Sequence, residues 1–148
     1  MASPFDLQSV LTARHAQHVV LIHFPIALFL TGVAFDLAAR WRRSAALAAA
    51  AYYDLMLAAA STLPVVVTGL LAWRWQLEGA RLKGNLLLHL VLGVSSSLVI
   101  CLSWWLHFRV RRRPELRVPR YGLALEIAGA MLVALTGHLG GFLSGVNS

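Results

Sequence analysis

Cysteine occurs once in this chain of 148 residues, as Cys101 inside an apolar run. That excludes an intrachain disulfide, and the lack of a C-x-x-C-H string excludes covalent attachment of a c-type haem. Charge is scarce too. Charged residues make up 13 per cent of the chain, against roughly a quarter in a soluble domain, and only six of them are acidic. There is no phosphate-binding glycine loop, nucleophile elbow, H-E-x-x-H string or dicarboxylate pair. These gaps argue against a soluble enzyme. A hydrophobic content of 59 per cent argues equally against a disordered or collagenous chain.

What the chain does have is length enough for one domain and four long apolar runs. They cover about residues 17–39, 46–73, 86–106 and 121–143. Crossing the hydrocarbon layer of about 30 Å takes about 20 helical residues, and each run meets that length. Four such runs leave nothing to bury them in a soluble fold, so residues 1–148 read as one all-α integral membrane domain. The N-terminal stretch lacks the basic n-region and cleavage site of a secretory signal, so the first run is expected to be a retained span. Pro64, in the middle of the second run, removes a backbone donor and predicts a kink there.

The net charge of +7 comes from 13 Lys+Arg, and their placement reads as topology rather than as a nucleic-acid surface. Arg40, Arg42, Arg43, Arg109, Arg111, Arg112, Arg113, Arg117 and Arg120 lie on one side, and only Arg14, Arg74, Arg81 and Lys83 on the other. Nine against four places the first side in the cytoplasm and both termini in the periplasm of a bacterial inner membrane. Trp41, Trp104, Trp105 and Tyr121 then fall at the inner interface, and Trp73 and Trp75 at the outer one. The short connections predict an up-down-up-down bundle.

Four histidines fall at one depth near the outer face: His18 and His23 on the first helix, His89 on the third and His138 on the fourth. Imidazole is the usual axial ligand of b-type haem, and a noncovalent haem in a bundle needs two histidines on facing helices with small residues beside the macrocycle. Gly137, Gly141 and Gly145 form a stripe on the fourth helix, and Gly69, Gly93 and Ser97 offer further small surfaces. His18 and His23 stand about 140° apart around a helix, so they cannot both face one partner. His23–His89 is the expected axial pair and His18–His138 the second, giving one or two haems. The bland alternatives remain: small-residue stripes pack helices, and interfacial histidines hydrogen-bond carbonyls. A Zn or Cu site is less favoured, because no carboxylate or thiolate lies at that level.

A faint repeat supports this grouping. His23 and His89 are 66 residues apart, and Thr68-Gly69 and Thr136-Gly137 are 68 apart, as two related helical hairpins would give.

The run from His18 through His23, Phe24, Pro25, Ile26 and Ala27 to Leu28 resembles a known family, small bacterial membrane proteins called domain of unknown function twenty-two thirty-one (DUF2231). Asp36, the segment Thr68 to Trp73, His89 and the segment Gly137 to Leu143 extend the resemblance over nearly the whole chain. The resemblance implies four helices and a neighbourhood of respiratory and Rieske-type iron–sulfur proteins. It therefore implies a subunit relaying electrons between a periplasmic cytochrome c or iron–sulfur protein and quinone, within a larger complex. His18, His23 and His89 match the family's pattern, whereas His138 does not.

Asp36, Asp54 and Glu126 lie in the cytoplasmic halves of the spans. Asp36 and Arg40, four apart, are expected to form an interfacial ion pair. A quinone pocket with Tyr52 or Tyr53 beside it is the sharper alternative. His107 is expected at the interface, with no histidine at its own depth. The competing reading of the whole chain is a cofactor-free anchor subunit; a small transporter or metal-handling protein comes third.

Overall fold

A computed structural model describes residues 14–75, 78–79, 81–112 and 118–143. They form four helices: α1 (Arg14–Arg42), α2 (Ala45–Trp75), α3 (Gly84–Arg112) and α4 (Arg120–Leu143). No strand occurs among the described residues. Each helix has the length and apolar composition of a membrane span. No more than 22 per cent of any apolar window is buried. Side chains such as Phe24, Leu63 and Met131 therefore face outward, where lipid would solvate them.

The helices run one to three residues beyond most of the expected ends, because flanking arginines extend the helical ladder into the interface. Arg40 and Arg42 consequently lie within α1. Only Arg43 and Ser44 separate α1 from α2. Arg43 takes a left-handed conformation (φ 51°), Ser44 N–H donates to the Ala39 carbonyl, and Ser44 Oγ caps Leu47. So short a link forces α1 and α2 antiparallel, and the same alternation continues through α3 and α4. The close neighbours run α1–α2, α2–α3, α3–α4 and α4–α1. This is the expected up-down-up-down ring, with α1 facing α3 across the centre. Both ends of the described chain lie at the same end of the bundle.

The middle of the ring is filled by Phe29, Val33, Leu55, Ala58, Ile100 and Val133. Phe29 fits because Gly129 has no side chain: a Cβ there would stand 2.9 Å from Phe29 Cζ and 2.6 Å from Val99 Cγ1. Both Pro25 and Pro64 sit inside continuous helices. Ser61 and Thr62 donate to the Ala58 and Ala59 carbonyls, one turn before Pro64, and neither reaches the Ala60 carbonyl whose donor the proline removes. This apolar plug divides the bundle into a histidine end and an arginine end.

Candidate functional site: an apolar cavity with two histidines, and a buried ionic cluster

At the histidine end the four helices part around a cavity of about 410 Å³. Its wall is overwhelmingly aliphatic, with Ile100 and Val133 of the plug as its floor. His18 from α1 and His89 from α3 are the two histidines that line it. The helices carrying them face one another across the ring.

Each imidazole lies against a glycine of the next helix in the chain. A Cβ at Gly69 would stand 3.0 Å from Cε1 of His18, and one at Gly140 would stand 3.1 Å from Cε1 of His89. Thr68 lies beside His18 with Oγ1 3.1 Å from Nδ1. The same hydroxyl donates to the Pro64 carbonyl at 2.8 Å. Its single proton being spent there, Oγ1 accepts from His18, so Nδ1 carries the imidazole proton and Nε2 the lone pair. Nδ1 of His89 is buried with no hydrogen-bond partner among the described residues, and Thr136 precedes by one helical turn the Gly140 on which that ring packs. Thr136 is held in turn by its own Leu132 carbonyl and by Ser96 Oγ at 3.0 Å. The two hairpins thus repeat one device, a histidine packed on a glycine of the following helix.

The expected pairs are not the ones the fold brings together. His23 is exposed and its Nδ1 donates to the Val19 carbonyl of its own helix at 2.7 Å. It points away from the cavity because the 140° between it and His18 is resolved in favour of His18. His138 is exposed too, its ring edge-on to Phe142 at 4.9 Å. The glycine stripe is also rotated: Gly137 lines the cavity together with Gly140, while Gly141 is not part of the wall. Gly145 lies outside the described residues.

The arginine end holds a cluster that sequence reasoning left scattered. The expected Asp36–Arg40 pair forms, with Arg40 Nε donating to Asp36 Oδ2 at 2.6 Å. His107, expected at the interface, is buried instead, because α3 turns it inward toward α1 and α4. Its Nε2 lies 2.8 Å from Glu126 Oε1 and 3.9 Å from Asp36 Oδ1. Glu126 is 1 per cent exposed, and its Oε2 has no partner among the described residues. A signal was present in the sequence: three ionisable residues at one depth inside spans mark a functional site by default. Tyr52 and Tyr53 belong to neither site; they stack beneath Arg111, which donates to Tyr53 Oη at 3.0 Å.

The profile of a family described as predicted membrane protein (DUF2231) matches residues 14–146. The chain belongs to this family, and it is a multi-pass membrane protein. No curated protein and no solved structure matches it.

Proposed function

We propose that this DUF2231 membrane protein is an electron-transfer subunit that binds one b-type haem in the cavity between α1 and α3, with His18 and His89 as axial ligands. The observation that carries this reading is the pair of imidazoles, from α1 and α3, on the wall of one apolar cavity, each packed on a glycine. Haem proteins in bundles need that combination of ligand, facing position and flat small-residue surface.

The bound group would supply reversible one-electron chemistry; the chain supplies its setting. Thr68 would hold the ring of His18 through Nδ1, as a hydrogen-bond partner orients a ligand histidine. Gly140 seats the ring of His89 as Gly69 seats that of His18. Gly69, Gly137 and Gly140 keep the walls flat, and the aliphatic lining excludes water. The cavity lies at one end of the bundle, so a partner docking on the histidine end would exchange electrons over a short distance. With the arginine-rich end in the cytoplasm, that partner is a periplasmic cytochrome c or iron–sulfur protein, and the acceptor or donor in the membrane is quinone. Lipid and the other subunits of a redox complex cover the remaining surface.

A cofactor-free anchor subunit is the second reading. The favourable contact of His18 with Thr68 and Gly69 supports it, since the ring is well packed without a ligand. The visible spectrum of the detergent-purified protein separates the two readings. A sharp Soret band with resolved α and β bands on reduction supports haem, and a folded protein without absorbance supports the anchor.

A further inference from the structure

The arginine end carries a second constellation, one that the haem reading does not use. Asp36 of α1, His107 of α3 and Glu126 of α4 each bring one ligand-type atom to a common point, and these atoms lie within 4.8 Å of one another. We propose that this triad binds a divalent first-row transition-metal ion through Asp36 Oδ1, His107 Nε2 and the Glu126 carboxylate.

The donors are arranged for it. Arg40 occupies Oδ2 of Asp36 and leaves Oδ1 on the side of His107. Glu126 presents Oε1 to the same imidazole nitrogen and keeps Oε2 buried without a hydrogen-bond partner among the described residues. A buried carboxylate oxygen is rarely left in that state, least of all inside a membrane span, and a cation satisfies it directly. Around a four-coordinate ion with bonds of about 2.0–2.2 Å, ligand atoms stand roughly 3.4 Å apart. The 2.8 Å His107–Glu126 contact therefore opens, and the 3.9 Å His107–Asp36 gap closes, each by about half an ångström.

One imidazole nitrogen with two carboxylates suits Zn²⁺, Mn²⁺ or Fe²⁺ better than the soft Cu(I) or the water-rich shell of Mg²⁺. Binding displaces the proton that His107 Nε2 now shares with Glu126, and that proton leaves to solvent. An ion held this way ties α1, α3 and α4 together at the end of the bundle opposite the histidine cavity. The competing occupant is the proton itself, retained on His107.

The test uses the full chain in detergent, loaded separately with Zn²⁺ and with Co²⁺, freed of excess, and assayed for metal by mass spectrometry. Wild-type protein retains one equivalent, and the Co²⁺ form shows visible d–d bands. Glu126→Gln and His107→Gln retain less than a tenth of an equivalent while eluting as folded protein. A His18→Ala/His89→Ala double variant keeps the full equivalent, which assigns the ion to the arginine end whether or not haem binds. Folded wild-type protein that retains less than a tenth of an equivalent of both ions overturns the proposal in favour of the proton. Unchanged retention in the Glu126 and His107 variants overturns it as well. Should those variants fail to fold, thermal unfolding of the wild type decides: a melting temperature that rises with Zn²⁺ and saturates at one equivalent supports the site, and an unmoved one refutes it.

Discussion

The hydroxyl of Thr68 sets the tautomer of His18: Oγ1 donates to the Pro64 carbonyl at 2.8 Å and therefore accepts from Nδ1 at 3.1 Å. In that tautomer Nδ1 carries the imidazole proton. Pro64 makes its own contribution here, because the hydroxyl that its carbonyl engages is the one that orients the histidine of the neighbouring helix.

Thr68→Val removes that bond while keeping the shape of the side chain. Haem retention against a haem scavenger should weaken by about 10–100-fold, the usual cost of losing an orienting partner of a ligand histidine. Thr68→Ser, which keeps the hydroxyl, should retain haem as the wild type does. Equal retention in the valine variant would remove Thr68 from the account.

Glycines in this bundle differ in what they accommodate. A Cβ at Gly129 meets Val99 and Phe29 at 2.6 and 2.9 Å, whereas one at Gly93 meets nothing nearer than Thr136 Cγ2 at 3.9 Å. Gly129→Ala should destabilise the bundle by about 1–3 kcal/mol through overpacking. Gly93→Ala should leave stability unchanged or raise it by up to about 1 kcal/mol, alanine being the better helix former. Unfolding titrations in mixed micelles would measure both, and equal effects would contradict the packing described for Phe29.

His107 and Glu126 are directly bonded and buried, so their substitutions should not be additive. A double-mutant cycle of His107→Ala and Glu126→Ala is expected to give a coupling of about 0.5–3 kcal/mol. The exposed Arg111–Tyr53 pair, tested by Tyr53→Phe, should cost about 1 kcal/mol or less. Additive losses at His107 and Glu126 would mean that the 2.8 Å contact contributes nothing to stability.

The arginine bias of nine against four predicts that a C-terminal tag is reached by an impermeant reagent in intact cells. Protection of the tag would invert the bundle. The two sites would keep their geometry, and the redox partner would then approach from the cytoplasm.

Span number and the approximate place of each span were legible in the sequence, because both depend only on position along the chain. Rotation about the helix axis was not. These helices are apolar nearly all round, so no amphipathic stripe distinguishes the face of His18 from that of His23. The same blindness put Gly141 in the stripe where Gly140 serves, and left His107 at an interface that it does not occupy. Asp36, His107 and Glu126 lie on three helices, and their meeting is a consequence of rotation and packing. The Asp36–Arg40 pair was legible because it lies within one helix at a spacing of four.

The most direct measurement is the reduced-minus-oxidised visible spectrum of the purified protein and its histidine variants. Wild-type protein should show a low-spin b-type signature, with haem extractable by acidified acetone because Cys101 stands alone and offers no thioether pair. His18→Ala and His89→Ala should each abolish the signature. His23→Ala and His138→Ala should preserve it, since neither residue lines the cavity. Loss of the spectrum in His23→Ala with retention in His18→Ala, or a folded wild-type protein with no Soret band, would contradict the assignment of the cavity as a haem site.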